Sequence, residues 1–253
     1  MNQLNIFLLI FLTSHMKTHL AQEIQLSDNP EIFDDQYKGC RLKMDKIIPK
    51  VLKSENNSND LFRIDWEMAS KYWSTIKSNI NNLPQGFRDE HGIALVAYTS
   101  NLYQAFNKAT RDVGNSIENY RNKFRFKAMH YYLTMAVRML SKKSKKLVYR
   151  GVRNIHFKPS NHSRGVIRFG QFTSASEDRA IAIKFGTSSF FEIQTRLGVE
   201  IQRFSQYPSE KEVLIPGYEI FKVLSFNRKT HSFKLFSKGR AKSRFNCAYF
   251  KRR

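Results

Sequence analysis

Ser209-Glu210-Lys211-Glu212-Val213-Leu214-Ile215-Pro216 places two carboxylates, one residue apart, at the mouth of an apolar run that a proline closes. The run is short and partly β-branched, so it predicts a strand. Alternate side chains of a strand share a face, and the spacing predicts Glu210 and Glu212 converging on one ligand. Paired carboxylates suit the breaking of a glycosidic bond, because one stabilises a developing cationic sugar while the other handles a proton. A Glu-Lys-Glu string also suits a solvated strand end.

The stretches upstream favour the ligand site. Val148-Tyr149-Arg150-Gly151 reads as a strand carrying an arginine, and residues 165–176 read as a second strand ending in Ser174-Ala175-Ser176. An arginine, a serine hydroxyl and a Glu-x-Glu pair on three successive strands supply a phosphate clamp, a positioning hydrogen bond and a sugar-facing carboxylate. Together they outline a nucleotide-sugar site.

Further out, the chain divides by periodicity. From about 66 to 143 the apolar residues recur at three- and four-residue steps, as with Ala94, Leu95, Tyr98, Leu102 and Phe106, and again with Met129, Leu133, Ala136, Val137 and Leu140. That pattern predicts helices. From 147 onward, short apolar runs separated by turn residues predict strands at 147–151, 165–173, 189–195, 199–204, 212–224 and 232–236. A short helix over 179–185 is expected to take Ser176 as its N-cap, which leaves Ser174 as the serine of the site. Helices followed by strands make an α+β protein.

The three motifs, in this order, resemble the arginine-specific mono-ADP-ribosyltransferases of the vertebrate ecto-enzyme type. The resemblance extends to Phe33-Asp34-Asp35-Gln36-Tyr37-Lys38-Gly39-Cys40, to Ala94-Leu95-Val96-Ala97-Tyr98-Thr99, to 102–107, to Phe204-Ser205-Gln206-Tyr207-Pro208 and to Glu212 with the four residues after it. It covers most of the chain from about 33 to 247. It implies a helical N-terminal half packed on a C-terminal two-sheet β core that forms a cleft for NAD. NAD would be a co-substrate, with no prosthetic group, and the acceptors would be arginine-bearing proteins. On this resemblance Arg150 contacts the NAD phosphates, Ser174 positions Glu212 and the nicotinamide ribose, Glu212 stabilises the transition state, and Glu210 faces the acceptor. Tyr98, Gln171 and Ser205 are implied as further NAD contacts. Two alternatives stay open at this point: an enzyme that chiefly hydrolyses NAD, and a cationic binding protein on the same scaffold.

Composition bounds these readings. The chain has 253 residues, enough for one domain with a sizeable core. Forty-three Lys and Arg against 21 Asp and Glu leave a formal net charge of +22. That excess predicts an anionic partner, whether glycan, membrane or nucleic acid. Seven scattered histidines and two distant cysteines lack metal-ligand spacing. Residues 165–170 lack the following helix that a dinucleotide fingerprint requires, so a Rossmann domain is not supported.

The apolar run at 4–12 is too short to span a bilayer and predicts a signal peptide over 1–21, followed by one catalytic domain over 22–253 ending in a basic segment from 238. A secreted monomer is therefore expected, with no hydrophobic tail of the kind that specifies a lipid anchor. Secretion would let Cys40 and Cys247 pair, and the resemblance supports that pairing. A second bridge present in several relatives is expected to be missing, because Arg196 stands at its position. Asn56-Asn57-Ser58 and Asn161-His162-Ser163 match the glycosylation pattern, both in stretches that read as loops.

Overall fold

The computed structural model describes residues 21–28, 31–160 and 165–250. The expected signal segment, apart from Ala21, the Asn161 glycosylation pattern and the last three basic residues lie outside the described residues.

After a short first strand come six helices: α1 (Arg41–Ser58), α2 (Asp60–Ile76), α3 (Asp89–Thr99), α4 (Leu102–Val113), α5 (Ile117–Lys123) and α6 (Lys127–Leu140). In α2, Phe62, Trp66, Ala69 and Trp73 lie on one buried stripe at helical spacing, and the Asn59 side chain caps the helix by accepting from the Phe62 N–H. Helix α3 is buried from His91 to Tyr98 and serves as the centre of the helical core. Its Gly92 lets α2 approach, since a Cβ there would fall 2.5 Å from the Trp73 ring. The start of α6 is capped from another helix: buried Glu55 of α1 accepts from the N–H groups of Lys127 and Ala128.

The strands are β1 (Gln22–Leu26), β2 (Lys146–Val152), β3 (Ile155–Pro159), β4 (Val166–Ile167), β5 (Thr173–Ser176), β6 (Ser189–Thr195), β7 (Val199–Glu200), β8 (Glu212–Ile215), β9 (Glu219–Asn227) and β10 (Ser232–Ala241), with α7 (Arg179–Lys184) between β5 and β6. Strands β1 and β3 pair in parallel as a small separate sheet. The main sheet runs β4-β9-β10-β6-β2-β5-β8-β7. Its two portions, five strands and three, meet where β2 and β5 share a single residue pair, Tyr149 with Ser176. A second apolar core, including Val148, Phe191, Ile193, Val213 and Phe233, fills the sheet half.

The segments 34–40 and 244–248 are tied together beside α6. Cys40 and Cys247 form a disulfide across 207 residues. Asp34, buried, accepts from Arg168 and from the N–H groups of Arg244 and Phe245. Asp35, also buried, accepts from the N–H groups of Tyr37, Cys247 and Ala248 at 2.7–2.9 Å.

The expected α+β order holds, and several boundaries move for identifiable reasons. The strand expected at 165–173 is two strands. Arg168 turns inward to Asp34, and Gly170, at φ +77°, bonds across to Gly217 before β5 begins. The expected strand at 212–224 breaks at Pro216, whose carbonyl accepts from the Glu219 N–H, so β8 and β9 belong to different portions of the sheet. Strand β7 ends at Glu200, and Gln202–Phe204 forms a 3-10 turn. The cap of α7 is Asp178 rather than Ser176. The Asn56 glycosylation pattern lies inside α1 and not in a loop.

Candidate active site

Above the junction of β2 and β5, the ends of α3 and α4 lean over the sheet and enclose a cleft of about 500 Å³. Such a volume suits a small-molecule ligand. Arg150 enters it from β2, Gln171 and Ser174 from β5 and the turn before it, Glu212 from β8, Glu210 from the loop preceding β8, and Tyr98 from α3.

Arg150 is half-buried, and its Nη1 donates to the Ser174 carbonyl at 2.7 Å. A guanidinium has five N–H donors, so the rest of the fork stays available to an anion. Burial lowers its pKa, against the pull of the nearby Tyr98, Tyr103 and Glu212. The following Gly151 lets β2 press against α7, because a Cβ there would lie 2.2 Å from the Ala182 carbonyl.

Glu212, the first residue of β8, is 6% exposed. Burial pushes its carboxyl up to about 7, and the Glu210 charge adds to this, while hydrogen bonding from Ser174 and the Arg150 charge pull it down. A carboxylate held near neutrality in a cleft is poised for chemistry. Ser174 thus stands close to both Glu212 and Tyr98. The Tyr98 hydroxyl donates to the Phe172 carbonyl at 2.8 Å, and burial raises its pKa.

Glu210 and Glu212 do converge, but not by strand alternation. Glu210 ends a 3-10 turn (Pro208–Glu210), Lys211 is left-handed at φ +48°, and the strand starts only at Glu212. The loop is pinned to the neighbouring strand and helix by three contacts. The Ser176 hydroxyl donates to the Glu210 carbonyl at 2.7 Å, the Glu177 N–H donates to the Lys211 carbonyl, and Lys211 pairs with Asp178. Partial burial raises the Glu210 pKa.

Two expected NAD contacts differ in placement. Gln171 lines the cleft and accepts from Arg111 of α4. Ser205 is 2% exposed and lies outside the lining; its hydroxyl accepts from the Tyr207 N–H at 3.0 Å and its carbonyl from the Tyr72 hydroxyl. It thereby sets the loop that brings the exposed ring of Tyr207 to the cleft mouth.

Sequence reasoning passed over Asn107 and Arg111, which also line the cleft. Asn107 is 6% exposed; its amide donates to the Tyr98 hydroxyl and the Phe172 carbonyl, and its Oδ1 has no partner among the described residues. The signal for both was an amide standing on the apolar stripe of α4 and an arginine four residues further along the same face.

A family model of NAD:arginine ADP-ribosyltransferases matches residues 26–243. Ecto-ADP-ribosyltransferase 5 of Bos taurus is 41% identical over 235 residues, spanning 88% of this chain and 74% of its own. T-cell ecto-ADP-ribosyltransferase 2 of Mus musculus is 41% identical over 252 residues, spanning 96% and 83%. A mutant of the eukaryotic mono-ADP-ribosyltransferase ART2.2, crystallised in complex with NAD, superposes with a TM-score of 0.82 at 40% identity, covering 89% of this chain and 99% of that one.

Proposed function

The chain belongs to the NAD:arginine ADP-ribosyltransferase family, and we propose that its cleft moves ADP-ribose from NAD to arginine side chains of acceptor proteins, releasing nicotinamide. One observation carries this reading: Arg150, Ser174, Glu210 and Glu212 meet in a single cleft, with the innermost carboxylate held near neutrality.

The bond that breaks joins the nicotinamide nitrogen to the ribose anomeric carbon, and its electron pair leaves with nicotinamide. Positive charge develops on the sugar in an oxocarbenium-like transition state. Ionised Glu212, dry and aimed at that charge, stabilises it more strongly than water would. The free part of the Arg150 fork holds the diphosphate, and Ser174 orients Glu212. An arginine guanidinium nitrogen then attacks the anomeric carbon, forming the new bond. Glu210 takes the proton as that bond forms, because free guanidinium is too weak an acid to lose it beforehand. Purified protein should release nicotinamide from NAD and Glu212→Ala should not; equal release by both would refute the assignment.

Hydrolysis is the second reading. Glu210 stands only partly buried near the mouth, where water can reach the same intermediate as a guanidinium.

The relatives named above are ecto-enzymes, and we place this protein outside the cell too, as a secreted protein. The disulfide suits that compartment, and among the described residues no helix is long and apolar enough to cross a membrane. The cleft is built from one chain, so a monomer suffices. The net charge of +22 calls for an anionic partner in that space.

A further inference from the structure

A second concavity lies on the outer face of the five-strand portion, and none of its lining residues lines the catalytic cleft. Along β6 the residues alternate, with Ser189, Phe191 and Ile193 buried and Phe190 and Glu192 turned outward. Along β10, Phe233 and Leu235 face the core and Lys234 faces out. A groove of about 830 Å³ runs over this face, bounded by Arg179 at the start of α7 and by Arg228 and Lys229 in the β9–β10 turn.

Four cations and one carboxylate line it. Glu192 pairs with Lys234 at 3.7 Å, while Arg228 and Lys229 have no ion-pair partner among the described residues. The turn is held in shape by Asn227, whose Oδ1 accepts from the N–H groups of Lys229 and Thr230. Elsewhere the basic excess is partly engaged. Lys242 pairs with Asp28, Arg244 donates to the carbonyls of Gly114 and Asn115, and Lys146 pairs with Glu177 and Glu200.

We propose that this groove binds a sulfated glycan chain, with Arg179, Arg228, Lys229 and Lys234 meeting successive anionic groups. The proposal rests on the reading that the protein works outside the cell with an anionic partner. Single-stranded nucleic acid fits the groove less well, because it needs open aromatic faces for its bases. Here Phe190 has Arg179 over one face, 5.1 Å from the ring centroid, and Tyr149 stacked beside it. A sulfated chain needs only fixed cations, and its affinity comes from released counterions.

The test measures binding of a heparin oligosaccharide, a single-stranded oligonucleotide and anionic lipid vesicles at physiological salt. The groove variant carries Arg228→Ser and Lys229→Ser. A control with the same charge loss carries Lys142→Ser and Lys145→Ser on a different surface. Release of nicotinamide from NAD reports that each variant is folded. The groove variant should lose about tenfold or more in heparin affinity and the control much less, with a shallower salt dependence in the groove variant. Equal losses in both would overturn the site while leaving a general anionic partner standing. Tighter binding to the oligonucleotide or vesicles than to heparin would overturn the glycan assignment. No binding to any of the three would overturn the anionic-partner reading itself.

Discussion

The Ser176 hydroxyl donates a 2.7 Å hydrogen bond to the backbone carbonyl of Glu210, and the same oxygen accepts from the Asp178 N–H. The second serine of the Ser-x-Ser pair thus acts on Glu210 through its backbone, while the first stands beside Glu212. Ser176→Ala should cost about 1 kcal/mol of stability and loosen Glu210. Transfer to a guanidino acceptor should fall more than NAD hydrolysis does, a split read by assaying both products in one reaction. Equal falls would mean that Ser176 serves the fold alone.

Glu210→Gln keeps the shape and removes the proton acceptor. Transfer should fall by about 100-fold while NAD hydrolysis persists, since water needs less help to lose its proton. Parallel loss of both activities would place Glu210 in the glycosidic step.

Arg150→Lys keeps the charge and loses the fork. The KM for NAD should rise several-fold with a smaller change in kcat. An unchanged KM would show that the guanidinium serves the Ser174 carbonyl and not the diphosphate.

On the proposed mechanism ionised Glu212 is the competent form, so kcat/KM for NAD should rise as pH climbs through about 7 and level off above it. Stability moves the opposite way. The folded-state pKa of about 7 exceeds the ordinary 4.5, so between these values the folded chain holds a proton that the unfolded chain has lost. This group's contribution is therefore favourable below about 4.5 and is lost as pH rises towards 7. Glu212→Gln should match the parent near pH 4 and exceed it by up to about 3 kcal/mol at pH 8 in urea unfolding. A variant no more stable than the parent at pH 8 would contradict the burial of that charge.

Two devices join the segments around Cys40 and Cys247. The Cys40–Cys247 bridge closes a loop long enough to contribute about 5 kcal/mol on the chain-entropy model. Asp35 holds the same C-terminal segment through the N–H groups of Cys247 and Ala248. Reduced protein should therefore unfold at lower urea yet keep its activity in buffer. Asp35→Ala should destabilise by about 3 kcal/mol with the bridge intact, because several buried N–H groups lose their acceptor. Loss of activity on simple reduction would show that the carboxylates do not hold the segment alone.

Much of this was readable from the chain, and the exceptions share a cause. Strand 189–195 stands where it was expected because it buries every second residue, strand 147–151 is one residue longer at each end, and the periodic sets from Ala94 to Phe106 and from Met129 to Leu140 do lie on helices. Strands β1 and β3 pair only with each other, and their burial pattern is weak. The break after Ile167 depends on Arg168 finding Asp34, 134 residues away, which local spacing does not encode. Glu210 was found through an argument about strand faces, although a 3-10 turn and a left-handed lysine position it. Asn107 was passed over because its value lies in the Tyr98 hydroxyl and the Phe172 carbonyl that its amide holds, partners that only the assembled fold brings to it.

The most direct measurement incubates the purified protein with labelled NAD and agmatine and follows labelled acceptor and free nicotinamide together. Labelled agmatine formed alongside nicotinamide is the predicted result. Nicotinamide without labelled agmatine would reduce the enzyme to a hydrolase, and the absence of both would contradict the account of this cleft.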